Sequence, residues 1–146
     1  FMHSLTIPAN PQIVLDANCD PCVEILQWAE SKLEQLLSLG FTHNQLICDP
    51  GIGFNKTAAQ SWYLLRNISR LQNLDVELLV GHSRKRFLDK VTLSEYAGRD
   101  SESATVASFL ATQSVDYIRM HDYREYFKLA KTNNQLERRY FGVASK

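Results

Sequence analysis

The sequence has no long hydrophobic run and no excess of either charge. Its longest apolar stretches, such as VELLVG at residues 76–81, are far shorter than the roughly 20 residues that cross a bilayer. The 16 basic and 16 acidic residues cancel, so charge does not indicate a nucleic-acid-binding surface. We therefore expect neither a membrane nor nucleic acid as a partner. With 146 residues, 45% of them hydrophobic, the composition is that of one compact domain.

Cysteine is also scarce, and no signal peptide opens the chain. Three cysteines without regular disulfide spacing suit a reducing compartment, so we expect a cytoplasmic protein. The first residue is Phe1 rather than an initiator Met, which indicates part of a longer product.

Two of the cysteines, Cys19 and Cys22, form a CDPC motif at the start of a predicted helix. This is the setting of a thioredoxin-like redox pair. The same spacing suits half of a zinc site, but no second Cys pair or nearby His pair completes one. The redox domain is therefore an alternative, to be weighed against chance placement at an exposed helix start.

Short apolar segments alternate with helical patterns along the chain. Asp20 and Pro21 are a typical N-cap and first-turn pair, and apolar residues then recur at helical spacing up to Gly40. Thr57 and Gln60 predict a capping box for a second helix. Three apolar segments are predicted strands: QLICD at 45–49, VELLVG at 76–81 and VDYIRMHD at 115–122. A small-residue helix at 104–113 follows a polar stretch at 92–103, and a last helix begins at about residue 123. The alternation predicts a parallel sheet with helical crossovers.

Each predicted strand runs directly into residues that can do chemistry. The first is followed by DPGIGFNKT at 49–57, the second by GHSRK at 81–85, and the third ends in RMHD at 119–122. In parallel α/β folds, binding and catalytic groups lie at the carboxyl ends of the strands. Three such endings in a row predict a functional site at one edge of the sheet.

These motifs, in this order and at this spacing, resemble the second half of dihydropteroate synthase. The resemblance rests on DPGIGFNKT, GHSRKRF, ESA at 102–104 and RMHD, and MHS at residues 2–4 is similar to the end of that family's fifth barrel strand. It implies an α/β fold, the C-terminal half of a (β/α)8 TIM barrel with parallel strands and crossover helices. Residues 1–146 would run roughly from the end of strand 5 to helix 8.

The resemblance also implies an activity. The family is a transferase of folate biosynthesis and a sulfonamide target. It joins p-aminobenzoate to 6-hydroxymethyl-7,8-dihydropterin pyrophosphate, with Mg²⁺ as cofactor, and releases pyrophosphate. The pterin can carry developing positive charge while the departing anion is stabilised, and the weakly basic amine then attacks. Catalysis would rest mostly on positioning.

For the pterin, the resemblance assigns Asp49, Lys85, Met2 and Gly81. A carboxylate such as Asp49 can accept the amino group and the adjacent ring N–H of a pterin in a bidentate pair. Glycines at 51 and 53 would let the backbone turn sharply above it. The Lys85 ammonium would reach the oxygen side of the ring.

For p-aminobenzoate, the resemblance assigns Phe54 as an apolar wall, Ser83 as a carboxylate contact and, with less support from the motif, Arg84. The neighbouring Arg86 is expected in solvent, the usual position of residues in a charge run.

Arg119 and His121 are two residues apart, so on a strand both side chains point to one face and Met120 to the other. A guanidinium and an imidazole on one face make an anion site. The resemblance assigns it to the pyrophosphate leaving group, which suits the fixed donor geometry of arginine.

The sequence departs from the family in two respects. Asn55 stands where the family usually has Gly, and because Asn tolerates left-handed backbone we expect little effect. The second departure is length, since a (β/α)8 barrel needs at least about 200 residues. The front half, with the metal-ligating Asn and two mobile loops, is expected to be absent, so the metal ligand in this chain is unknown.

These departures set what the chain should do alone. By itself it should be inactive, and a homodimer or higher oligomer is expected. A pterin-dependent methyltransferase on a similar barrel is a further alternative, although its chemistry would not need Arg119 and His121 as a pyrophosphate clamp. A non-catalytic barrel partner stays open as well.

Overall fold

The structure, a computed structural model, describes residues 1–92 and 99–137. In these ranges helices and strands alternate along the chain. The α-helices are α1 (Pro21–Ser38), α2 (Ala58–Arg66), α3 (Arg99–Leu110) and α4 (Arg124–Glu137). The strands are β1 (Ile47–Cys48), β2 (Glu77–Gly81) and β3 (Tyr117–Arg119), and short 3-10 helices cover His43–Gln45, Ile68–Leu74 and Arg86–Lys90.

The strands form one parallel sheet in the order β1-β2-β3. Its register pairs Ile47 with Glu77 and Gly81 with Arg119. Residues 1–3 extend the sheet on the other side of β1, where Asp49 N donates to Phe1 O and His3 N donates to Asp49 O, both at 2.9 Å. Since all these segments run in one direction, their carboxyl ends meet at one edge. The predicted parallel sheet with helical crossovers is confirmed.

Local capping signals place the first two helices. The Asp20 carboxylate accepts from Cys22 N at 2.8 Å, and Thr57 and Gln60 exchange side-chain-to-backbone hydrogen bonds at 3.1 and 2.9 Å. Both predicted caps are confirmed. The second helix ends at Arg66, and after Asn67 the chain continues as a 3-10 helix.

The third helix begins earlier than predicted. It starts at Arg99 rather than at Ala104, because the polar residues before Ala104 form its first turn. Asp100 and Glu102 suit the positive end of the helix dipole, and the buried Ser103 hydroxyl donates to Arg99 O at 2.5 Å. The rest of the predicted polar stretch, residues 93–98, lies outside the described residues, as does the predicted helix beyond residue 137.

The core lies between the sheet and the helices packed on it. Its fully buried members come from several elements and the turns between them: Cys22, Ile25, Ala29, Cys48, Ile52, Leu64, Ile68, Val80, Leu88 and Leu110. Of the helices in the described ranges, not one is both long enough and apolar enough to cross a membrane.

The CDPC motif differs from its prediction. Cys22 is fully buried in the core rather than at an exposed helix start, and all three cysteines are free. Burial raises the pKa of Cys22 to about 11 and also raises that of Cys19. A redox cysteine pair needs a thiol whose pKa is lowered, so these thiols do not support the redox alternative.

Candidate active site at the carboxyl edge of the sheet

The turn after β1 places a buried carboxylate at the edge of the sheet. Asp49 is only 6% exposed. One carboxylate oxygen accepts from Gly51 N at 2.8 Å, and the other lies 3.4 Å from Arg119 Nη2. Gly51 has φ +65°, and a Cβ there would lie 2.1 Å from His3 O. Only glycine therefore lets this turn pack against residues 1–3.

A buried lysine contacts the same turn at several points. Lys56 Nζ donates to Gly51 O at 3.0 Å and to Phe54 O at 2.9 Å, and lies 3.0 Å from His3 Nδ1. Burial, and the nearby Lys56, lower the pKa of His3 to about 4, so the imidazole is neutral and can accept. Burial, with Lys85 acting in the same direction, lowers the pKa of Lys56 to about 7. Sequence reasoning missed both residues.

Lys85 lies on the next turn, after β2, and points across the site. Its ammonium donates to Ile52 O and stands 4.2 Å from the centroid of the Phe54 ring, a cation–π distance. Burial lowers the pKa of Lys85 to about 8; Asp49 opposes this shift and Arg119 adds to it. Lys85 lines two clefts, one on each side of it.

The first of these, the anion cleft, has a volume of about 360 Å³ and is lined by Gly81, Ser83, Lys85, Arg119, Met120 and His121. A Cβ on Gly81 would lie 2.6 Å from Arg119 Nη2, so the bare glycine lets the guanidinium cross towards Asp49. Ser83 Oγ lies 3.2 Å from His121 N and 3.1 Å from His121 Nδ1. Arg119 and His121 thus share one cleft, as the sequence predicted.

Met120, which lies between Arg119 and His121 in the chain, also contributes to the lining of the anion cleft. Because β3 ends at Arg119, strand alternation does not extend to residues 120 and 121.

The second, the aromatic cleft, has a volume of about 520 Å³ and lies on the Phe54 side of Lys85. It is lined by Pro11, residues 53–56, Ala58 and residues 84–87. The Arg84 guanidinium makes two 2.7 Å hydrogen bonds to Asp100, which hold it against α3. Arg86 is exposed, as predicted.

One assigned residue lies elsewhere than its grouping suggested. Ser83 was grouped with Phe54 and Arg84, but it lines the anion cleft, where it contacts His121. Met2, which was grouped with Asp49, pairs with that residue across the sheet and is 41% exposed.

Comparisons with known proteins show which family this chain resembles. The model of the pterin binding enzyme family matches residues 1–121. The folate synthesis bifunctional protein of Chlamydia muridarum is 37% identical over 121 residues, which are 82% of this chain and 27% of that protein.

Solved structures agree. One is dihydropteroate synthase from Anaplasma phagocytophilum with bound 6-hydroxymethylpterin-monophosphate, which matches with a TM-score of 0.83 and 33% identity. The match covers 92% of this chain and 53% of the Anaplasma phagocytophilum chain. The enzyme from Thermus thermophilus in complex with 4-aminobenzoate has a TM-score of 0.78 and 26% identity, with 92% and 55% covered. The chain therefore spans about a quarter of the curated relative and about half of each solved chain. The predicted fold, half of a TIM barrel, is confirmed.

Proposed function

Because this chain belongs to the pterin binding enzyme family, we propose that it supplies the second half of the active site of a dihydropteroate synthase. The reaction is the condensation of p-aminobenzoate with 6-hydroxymethyl-7,8-dihydropterin pyrophosphate. One observation carries the proposal: Asp49, Lys85 and Arg119, from the ends of three neighbouring parallel strands, meet around one edge of the sheet.

The pterin lies against Asp49. This carboxylate has one oxygen engaged with Gly51 N and the other near an exposed guanidinium, so lone pairs remain for the amino group and ring N–H of the pterin. Lys85 donates to the ring's oxygen. The monophosphorylated pterin in the Anaplasma phagocytophilum structure supports this substrate class.

The pyrophosphate lies in the anion cleft. The Arg119 side chain is 58% exposed, so it can leave Asp49 and present its donor fork to phosphate oxygens. His121, fixed by its contact with Ser83, adds a second donor. Together these groups stabilise the negative charge that develops on the leaving oxygen.

p-Aminobenzoate enters the aromatic cleft with its ring against Phe54. Its amine then points past Lys85 towards the pterin's methylene carbon. The C–O bond to pyrophosphate breaks while the pterin takes up positive charge, the amine then forms the C–N bond to the methylene carbon, and the proton that it loses passes to the released pyrophosphate. Holding the two reactants on either side of Lys85 is the main contribution of the protein. The Thermus thermophilus complex with 4-aminobenzoate supports this part of the proposal.

In this proposal Mg²⁺ would be bound by the pyrophosphate substrate and not by protein side chains. Within the ranges that the structure describes, no three His, Cys, Asp or Glu side chains come together as a metal site. Asp49 already faces Arg119, and Asp122 is paired with Arg124. The residues present therefore do not fit a protein-held Mg²⁺. A cytoplasmic location and a dimeric or larger assembly are part of the same proposal.

The pterin carboxylate can be tested by a conservative substitution. Asp49→Asn keeps an acceptor for Gly51 N but turns the second oxygen into a donor that faces the pterin's donors. We expect the affinity for 6-hydroxymethylpterin, measured by calorimetry, to fall about 100-fold, the cost of an unpaired buried donor. Asp75→Asn, at an exposed position away from the edge, is the control and should bind normally. Unchanged affinity in Asp49→Asn would reject this role of Asp49.

A further inference from the structure

Asn55 has more contacts than a residue that merely replaces glycine. It is 2% exposed and has φ +49°. Its side-chain oxygen accepts from Leu5 N at 2.9 Å and lies 2.8 Å from Ser4 Oγ, whose single hydrogen it shares with Thr6 O. Its amide nitrogen donates to Asn10 O at 2.9 Å and to Ile13 O at 2.8 Å. One side chain thus contacts both ends of the segment formed by residues 4–15.

The backbone of Asn55 closes the same segment. Its carbonyl accepts from Leu15 N at 3.0 Å. The Gln60 side chain then fixes the end of the segment to the start of α2, since its Nε2 donates to Leu15 O at 3.1 Å and to Asp16 O at 3.0 Å.

Apolar burial does little to hold this segment in place. Residues 4–14 contain no helix or strand and no buried side chain, and Leu5 and Ile7 are 44% and 96% exposed. Hydrophobic packing therefore contributes little to its position. The hydrogen bonds to Asn55 are its principal connection to the rest of the molecule.

The segment also forms part of the aromatic cleft. Pro11 lines this cleft together with Phe54 and Lys85, and it lies between Asn10 and Ile13, whose carbonyls accept both hydrogens of the Asn55 amide. Asn55 directly follows Phe54, so one residue connects the aromatic ring and the Pro11 segment that line the same cleft.

We propose that Asn55 is a positioning residue that clamps residues 4–15 as the outer wall of the p-aminobenzoate subsite. This inference rests on the proposed function. Glycine at this position would satisfy the left-handed backbone but would leave the segment without its clamp. The sequence expectation that Asn55 has little effect is therefore replaced by a specific role.

Three variants of the chain test the clamp. Asn55→Gly removes all side-chain bonds, and Asn55→Asp keeps the acceptor for Ser4 and Leu5 but removes the donors to Asn10 and Ile13. Asn67→Ala is the matched control, because among the described residues the Asn67 side-chain amide bonds to Tyr63 O alone, away from the segment. Amide hydrogen exchange followed by NMR reports on the segment. Titration with p-aminobenzoate, in the presence of saturating 6-hydroxymethylpterin and pyrophosphate, reports on the cleft.

We expect the Leu5 amide to exchange at least about tenfold faster in Asn55→Gly, because its acceptor is lost, and the Leu15 amide to exchange faster in both Asn55 variants. The affinity for p-aminobenzoate should fall about tenfold in both variants, while that for 6-hydroxymethylpterin stays within about twofold. The control should match the parent chain in every measurement.

Other outcomes overturn the inference or the function separately. Unchanged exchange at Leu5 and Leu15 overturns the clamp. Faster exchange with equal losses of p-aminobenzoate and pterin affinity, or with no loss of either, makes Asn55 a purely structural residue and overturns the positioning role. If the parent chain, joined behind the front half of the Anaplasma phagocytophilum barrel, binds neither ligand, the proposed function fails, and with it the positioning role, whatever the exchange rates show.

Discussion

The buried ammonium of Lys56 sets the shape of the turn that follows Asp49. Burying a charge is costly unless every donor is paired, and here three hydrogens meet three acceptors: Gly51 O, Phe54 O and His3 Nδ1. The same contacts connect residues 1–3 to the turn, so Lys56 helps to hold Phe54 at the aromatic cleft.

Lys56→Met should destabilise the chain by about 2–4 kcal/mol, because it leaves buried acceptors without donors. Urea unfolding at pH 6, where Lys56 is charged, measures this. Lys131→Met, at an exposed position on α4, removes a surface lysine and should change stability by less than about 0.5 kcal/mol. The His3 pKa should also rise in Lys56→Met, since Lys56 is one cause of its depression. A variant as stable as its parent would show that the three contacts do not support the turn.

Lys85 makes pterin binding depend on pH. Its pKa of about 8 means that the ammonium loses its proton just above neutral pH and can then donate less strongly to the pterin's oxygen. We expect the affinity for 6-hydroxymethylpterin to decline above about pH 8. In Lys85→Arg, whose guanidinium stays charged, the profile should be flat over the same range. A parent profile that is flat to pH 10 would contradict the role of Lys85.

The same shift affects stability with a definite sign. The pKa of Lys85 in the folded chain lies below its ordinary value of 10.5, so between about pH 8 and 10.5 the unfolded chain binds more protons than the folded chain. The contribution of Lys85 to the free energy of unfolding therefore rises with pH in this interval. Raising the pH above about 8 should therefore increase the contribution of Lys85 to stability and, at the same time, weaken pterin binding.

At the scale of elements, the sequence predicted what depends on neighbouring residues. The caps of α1 and α2 were predicted because an N-cap and a capping box act within three or four residues. The start of α3 was not predicted, because residues 99–103 have the composition of a polar loop. Their helical structure depends on tertiary packing, which buries Ser103. Alternation could not place the side chains of residues 120 and 121, because it does not reveal that β3 ends at Arg119.

The pairing of β2 with β3 makes a further prediction. Gly81 lies opposite Arg119, and a methyl group there would lie 2.6 Å from Nη2, so Gly81→Ala should displace the guanidinium without removing its charge. Arginine is flexible and the backbone of Gly81 has no positive φ, so the fold should persist. We expect pyrophosphate affinity to fall about tenfold, the loss of one charge-assisted hydrogen bond, with the melting temperature nearly unchanged.

The control for this substitution is His121→Ala, which removes the second donor of the anion cleft directly. It should weaken pyrophosphate binding while leaving the affinity for 6-hydroxymethylpterin nearly intact. Equal loss of both ligands in both variants would instead indicate that Arg119 and His121 only stabilise the strand end.

At the scale of the whole molecule, the general location of the site was predictable and its supports were not. Parallel strands bring their carboxyl ends together, so three reactive strand endings predicted one edge. The roles of His3, Lys56 and Asn55 depend on contacts between residues about 50 positions apart. The only local signal was a left-handed position at residue 55 in a glycine-rich turn.

The last prediction concerns the 146-residue polypeptide as a whole. In the described residues, nothing pairs with the outer edges of residues 1–3 and β3, and Met2, Leu5, Ile13 and Val14 are exposed. Open strand edges beside apolar side chains favour association, so this polypeptide should sediment as a dimer or larger species. It should release no pyrophosphate when given p-aminobenzoate, the pterin pyrophosphate and Mg²⁺, because these residues correspond to only about half of the solved barrels. Placing the front half of the Anaplasma phagocytophilum barrel before Phe1 should restore both a monodisperse species and activity, whereas an active monomer of 16.7 kDa would show that this half of the barrel is sufficient.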